Sequence, residues 1–118
     1  MNDIKVSENF NLKEFECRHC GQVKLHSELL TRLQRIRTLT GRPVRINSAY
    51  RCEVHNRAVG GAVSSQHLHG KAADIVIVGM PIAQQRKICE THFGDGGIGY
   101  GGTFTHVDTR GSRARWNY

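Results

Sequence analysis

The sequence predicts an α+β fold, a small, mostly antiparallel sheet with flanking helices. Three observations lead there. Glu28 to Leu39 places its apolar residues at helical spacing. Ala72 to Val78 is apolar nearly throughout, as a central, buried strand is. Between Ile98 and Asp108, two short runs flank Gly101-Gly102, the pattern of a hairpin. Helical and extended runs are grouped and do not alternate strictly, which argues against a sheet of parallel βαβ units.

Asn11 is a fair N-cap, with Glu14 in capping-box position, so a short helix entry is expected up to Phe15. Cys17 to Gly21 reads as a turn, and Val23 and Leu25 as a brief extended piece. Ser27 is expected to cap the Glu28–Leu39 helix. Its stripe is Leu29, Leu33, Ile36 and Leu39, and Thr40-Gly41-Arg42-Pro43 stops it. Val44 to Tyr50 alternates and predicts a strand. Arg51 to Gly61 is polar and reads as a loop around a short helix, and Ala62 to Gly70 as loop again. After the central strand, Pro81 suits the first turn of a helix over Ile82 to Thr91. Gly94 to Gly97 forms a turn into the hairpin strands Ile98–Tyr100 and Thr103–Asp108, and Thr109 to Tyr118 is a basic, aromatic tail. With no repeat or low-complexity segment, residues 1–118 read as one domain.

The hydrophobic fraction of 38% is enough for a core, which sets aside intrinsic disorder. No apolar run approaches the roughly 20 residues that cross a bilayer, so no membrane insertion is expected. Met1 to Lys5 has no basic patch leading into an apolar stretch, and the expected product is made in the cytoplasm and first stays there. A net charge of +7 favours anionic partners: nucleic acid, a membrane surface or an anionic cell-wall polymer.

The chain is organised around Ser65-Gln66-His67-Leu68-His69-Gly70-Lys71-Ala72-Ala73-Asp74. His67 and Asp74, held near one another at the mouth of a strand, are natural ligands for zinc. A third ligand comes from Phe104-Thr105-His106-Val107-Asp108, where alternation puts His106 and Asp108 on one face. Two histidines and an aspartate leave a fourth position open, the arrangement of a catalytic site. Each residue also has an ordinary reading. His67 suits a loop, Asp74 a cap and His106 a core, and the chain holds seven histidines in all. Four cysteines, Cys17, Cys20, Cys52 and Cys89, do not by default form disulfides without a secretory signal. Cys17-x-x-Cys20 has metal-ligand spacing but no second such pair follows. Cys52 and Cys89 could complete four sulfurs in space, and reduced thiols are the ordinary reading. One ion is therefore expected, with a second, structural ion at Cys17 and Cys20 left open.

Ser65-x-His67-x-x-Gly70-x-Ala72-x-Asp74 resembles the first zinc motif of the M15-type peptidases, the zinc D-Ala-D-Ala carboxypeptidases and related peptidoglycan endopeptidases, including phage endolysins. Asn47-Ser48-Ala49-Tyr50-Arg51-Cys52 resembles the segment before that motif, with Ala49 in place of the usual glycine. His55-Asn56-Arg57-Ala58-Val59-Gly60-Gly61 resembles the stretch between them. Gly97-Ile98-Gly99-Tyr100, Phe104-x-His106-Val107-Asp108-Thr109-Arg110 and Ala114-Arg115-Trp116 resemble the C-terminal block of the short, phage-like branch. The likeness runs from about Phe10 to Trp116. It implies a fold shared with the hedgehog domain, one zinc ion on His67, Asp74 and His106, and a peptidoglycan peptide as substrate. Arg51 would bind a substrate carboxylate or stabilise an oxyanion, a task suited to a permanently charged fork of donors, with Ser65 and Gln66 beside it on the substrate.

One departure stands out. Many of these enzymes carry an acidic general base three residues before the last histidine ligand, and here Thr103 holds that place. Asp108 is the nearest replacement, either as base or as a partner that orients His106. His69 and Asp95 are weaker candidates. The expected protein is a monomeric zinc peptidase of the cell wall, reaching its substrate after release or as part of a virion. A non-catalytic zinc module of the same fold is the alternative. A nucleic-acid binder is disfavoured, because no complete zinc-finger spacing and no aromatic stacking motif is present.

Overall fold

Alternation along Val44–Ser48, an apolar run in Ala72–Ile77 and short runs at Gly97–Tyr100 and Thr105–Asp108 all become strands. In the computed structural model, which describes residues 2–118, these are β3, β4, β5 and β6. With β7, Ala114–Asn117, they form a five-stranded sheet in the order β3-β4-β6-β5-β7. Every neighbouring pair is antiparallel except β5 and β7. The fold is thus α+β, as expected. A separate two-stranded ribbon joins β1, Lys5–Ser7, to β2, Phe10–Asn11.

The sheet has two unlike faces, because side chains alternate along each strand. Ala73, Ile75 and Ile77 of β4, Val107 of β6 and Ile98 of β5 face the core. They pack with Leu29, Leu33 and Ile36 of α1, Ser27–Thr40, and with Cys89 and Phe93 of α3, Ile82–Phe93. Fully burying such aliphatic and aromatic side chains contributes about 1.5–3 kcal/mol each. The opposite face carries the polar residues. There, α2, Glu53–Ala58, and a 3-10 turn, Gln66–His69, lie next to each other.

Several local expectations change. The capping box at Asn11 and Glu14 is present, but it opens a 3-10 turn, Leu12–Phe15. Ser27 is the first residue of α1 and not its cap; His26 precedes it, fixed by its backbone N–H to the Gly70 carbonyl at 3.0 Å. Leu39 lies outside the apolar stripe and is exposed. Pro81 sits one position before α3. The largest change is at the C-terminal end, where the expected tail contains β7. Arg115 explains it: its guanidinium donates to both Glu90 oxygens at 2.7 and 2.8 Å, and to the carbonyls of Gly96 at 2.8 Å and Gly94 at 3.0 Å. A long-range anchor of this kind has no local sequence pattern. Among the described residues, no helix is long and apolar enough to cross a membrane.

Candidate metal centre

The site grows out of one row of residues running across the sheet. Ser48 of β3 stands opposite Asp74 of β4, Asp74 opposite His106 of β6, His106 opposite Gly99 of β5, and Gly99 opposite Trp116 of β7. Residues directly opposite on neighbouring strands share a face and touch. Asp74 and His106 are therefore brought together by strand register alone. Gly99 leaves a gap in the row, and the Trp116 indole fills it, reaching the His106 ring at a centroid distance of 4.8 Å. A Cβ at Gly99 would stand 2.5 Å from Trp116 Nε1.

His67 arrives from outside the sheet, on the 3-10 turn that leads into β4. Ser65 caps this turn, its Oγ accepting from the His67 N–H at 3.2 Å. The His67 Nδ1–H donates to the Ala49 carbonyl at 2.6 Å, which leaves the lone pair on Nε2. That Nε2 is buried without a hydrogen-bond partner, 3.3 Å from Asp74 Oδ1. On the other side, the His106 Nε2–H donates to Asp108 Oδ2 at 2.7 Å, so the Nδ1 lone pair faces Asp74 Oδ1 at 3.1 Å.

Two imidazole lone pairs and a carboxylate oxygen thus converge on one point. Without a proton or a cation between them they repel. A tetrahedral ion with ligand bonds of about 2.0–2.1 Å needs donor separations of about 3.3–3.4 Å. The observed 3.1 and 3.3 Å match that requirement, and all three donor atoms lie within 4.8 Å of one another. Nitrogen and oxygen donors in this number and spacing fit zinc. Each ligand also has the outer partner that fixes a metal-binding side chain: Ala49 for His67, Asp108 for His106 and Arg51 for Asp74.

The electrostatics follow the contacts. Burial opposes a charge on Asp74, but His106 and His67, when protonated, outweigh it and hold the carboxyl well below the usual range; with both rings neutral, a cation between them would take over that role. Asp108 behaves alike, with burial overcome by His106, Arg110 and the Gly97 N–H. Burial lowers the pKa of His106, yet the two carboxylates raise it overall. Asp108 is fully buried and both oxygens are engaged: Oδ1 by the Gly97 N–H at 2.8 Å and Arg110 Nε at 3.0 Å, Oδ2 by His106 and by Arg110 Nη2 at 2.7 Å. Gly97 has no side chain because a Cβ there would strike the Asp108 carboxylate.

Arg51 is fastened at three points. Nε donates to Ser48 Oγ at 3.2 Å, Nη1 to Asn56 Oδ1 at 3.1 Å and Nη2 to Asp74 Oδ2 at 3.4 Å. A guanidinium has five N–H donors, so two remain for a ligand. Arg51, Ser65, Gln66, His67 and His106 all line one cleft of about 510 Å³, with Trp116 and Tyr118 on its wall. The expected site residues are therefore gathered in one place. Of the weaker candidates, Asp95 is elsewhere, paired with Arg32 at 2.6 Å near the end of α3, and His69 does not line the cleft. Cys89 is apart from the other cysteines, buried in the core, where burial pushes its thiol up to about 12. Sequence reasoning gave no role to Asn56, Trp116 or Tyr118. Asn56 and Trp116 stand inside the motifs that carried the resemblance, which was their only signal.

A family model described as Peptidase M15 matches residues 6–108, nearly the whole chain and every candidate metal ligand. No curated protein matches it.

Proposed function

The chain belongs to the peptidase M15 family, and on that premise we propose that it is a zinc peptidase hydrolysing amide bonds in peptidoglycan stem peptides or their cross-links. The observation that carries this reading is the orphaned, buried lone pair of His67 Nε2, aimed with His106 Nδ1 and Asp74 Oδ1 at one point on the cleft floor. Zinc held there by His67, Asp74 and His106 would polarise a scissile carbonyl and lower the pKa of water.

The protein's own groups supply the rest. Arg51 holds Asp74 in place with one nitrogen and offers its two remaining donors to a substrate carboxylate or to the developing oxyanion. No acidic side chain lines the cleft among the described residues, whereas Arg51 and Arg110 do. That bias suits the carboxylate-rich stem peptides of the wall. Trp116 and Tyr118 give an apolar wall that keeps water from one side of the reacting bond. Ser65 accepts from the His67 backbone and so helps to place that ligand, while its hydroxyl proton stays available to a substrate, as does Gln66. Asp108, fully buried and saturated with donors, serves as the positioning partner of His106 and not as the general base.

The missing acid at the cleft supports a second reading, a zinc-binding module without turnover. Digestion of purified peptidoglycan by the zinc-loaded protein and by His67→Ala, read by mass spectrometry, separates the two. The peptidase releases new amine-bearing muropeptides that the variant does not. Full zinc occupancy with no new fragment selects the binding module.

A further inference from the structure

Outside the cleft, the chain assembles a second set of metal-ligating atoms. Cys17 and Cys20 lie in the loop between the first 3-10 turn and α1, and Cys52 is the N-cap of α2. Their three sulfurs lie within 4.8 Å of one another. Cys17 Sγ and Cys52 Sγ are 3.7 Å apart, far beyond the roughly 2.05 Å of a disulfide. A tetrahedral zinc with bonds of about 2.3 Å to sulfur needs sulfurs about 3.8 Å apart. A fourth donor is close by: His19 Nδ1 lies 3.7 Å from Cys52 Sγ.

We propose that Cys17, Cys20, Cys52 and His19 form a second, structural zinc site, separate from the one in the cleft. The loop has the build of a metal knuckle. Cys17 N–H donates to the Gln22 carbonyl at 2.8 Å, and Gly21 N–H returns to the Cys17 carbonyl at 2.9 Å, folding Cys20 back towards Cys17. Backbone N–H groups point at the sulfurs, from Cys52 to Cys17 Sγ at 3.5 Å and from His55 to Cys52 Sγ at 3.4 Å. Such donors stabilise thiolate over thiol. The three sulfurs are gathered already, and His19, exposed and close to Cys52 alone, has to swing in as the fourth ligand to close the site, the form of a structural and not a catalytic centre.

The position gives the site a purpose. Cys52 follows Arg51 directly in the chain, and the Tyr50 N–H bonds the Phe15 carbonyl at 3.1 Å. An ion on these four residues would clamp the N-terminal loop to the turn that presents Arg51 to the cleft. It positions Arg51 without touching a substrate.

The test is metal stoichiometry on reduced, purified protein, with cobalt as a spectroscopic substitute. Wild type is expected to hold two zinc equivalents per chain. His67→Ala keeps one, and its cobalt form retains the thiolate-to-cobalt charge-transfer absorption. Cys20→Ser keeps the other, with that absorption lost, and the exposed position of Cys20 makes it the variant that least disturbs packing. A single equivalent in wild type that vanishes with His67→Ala, with no charge-transfer absorption in reduced wild type, overturns the proposal. That outcome leaves the peptidase reading intact. Loss of the cleft ion alone leaves the cysteine site standing.

Discussion

The two clusters of metal-ligating side chains are built by different means. His67, Asp74 and His106 are buried, and two of the three are opposed residues on adjacent strands. Cys17, Cys20 and Cys52 run from buried to exposed and are held by turns and a helix cap. In the first set sheet register fixes Asp74 and His106, a capped 3-10 turn brings in His67, and one side stays open to a cleft. The second is fixed by backbone amides in loops and gathers three sulfurs, with His19 proposed for the fourth position. A rigid frame suits an ion that must meet a substrate in a set geometry. A flexible frame suits an ion whose task is to remove that flexibility.

This contrast can be broken most decisively at His67. His67→Ala should take peptidase activity to background while the circular dichroism of the folded protein persists, because the core faces the other side of the sheet. If activity survives, the cleft cluster is not the catalytic centre. Next in size is Arg51→Lys, which keeps the charge but loses the fork that holds Ser48, Asn56 and Asp74 together. Turnover should fall by about 10²-fold, as for loss of one oxyanion donor, with zinc content unchanged. Asp108→Asn should weaken zinc binding by about 10–100-fold through misorientation of His106, and added zinc should restore much of the rate. Rate loss at full zinc occupancy would instead make Asp108 the base.

Smaller effects sharpen the picture. Gly99→Ala puts a methyl group 2.5 Å from Trp116 Nε1 and must displace the indole from His106. Trp116 is the single tryptophan, so its fluorescence should shift, with a several-fold loss of activity. The smallest change belongs to Glu90. The Arg115 hydrogen bond lowers its pKa, burial opposes this, and the Tyr100 hydroxyl adds to the lowering. A folded pKa below the unfolded one stabilises the protein above about pH 4.5, and that stability is lost as pH falls through the lower folded value. Glu90→Gln should flatten the acid side of the thermal-midpoint profile. The shift should correspond to less than about 1 kcal/mol, since the pair is partly exposed. An unchanged profile would mean that β7 is held by its ladder alone.

Local pattern made much of this molecule legible. The α1 stripe of Leu29, Leu33 and Ile36, the buried β4 and the alternation around His106 all depend on residues close in sequence, where period and burial coincide. The three candidate cleft ligands could be picked out because a motif spans His67 to Asp74 and a second one carries His106. What stayed hidden depends on distant partners. β7 exists because Arg115 reaches Glu90 and three backbone carbonyls, including its own neighbour's. The four-sulfur set open to Cys17, Cys20, Cys52 and Cys89 does not form, because folding sends Cys89 into the core and only Cys52 to Cys17. Asp108 could be placed beside His106 from spacing, but its saturation by Arg110 and Gly97 required the turn after β6.

The transverse row from Ser48 to Trp116 also makes the sheet self-proofreading. Side chains alternate with a period of two, so a one-residue slip of β6 against β4 would turn His106 to the helix-packed face and offer Val107 to Asp74. A metal ion favours only the aligned ladder. At an ion concentration a thousand times its dissociation constant, that preference is about 4 kcal/mol. Zinc in the cleft would then select the correct alignment during folding as well as serve the finished site, and metal uptake would report that β4 and β6 have been assembled in phase.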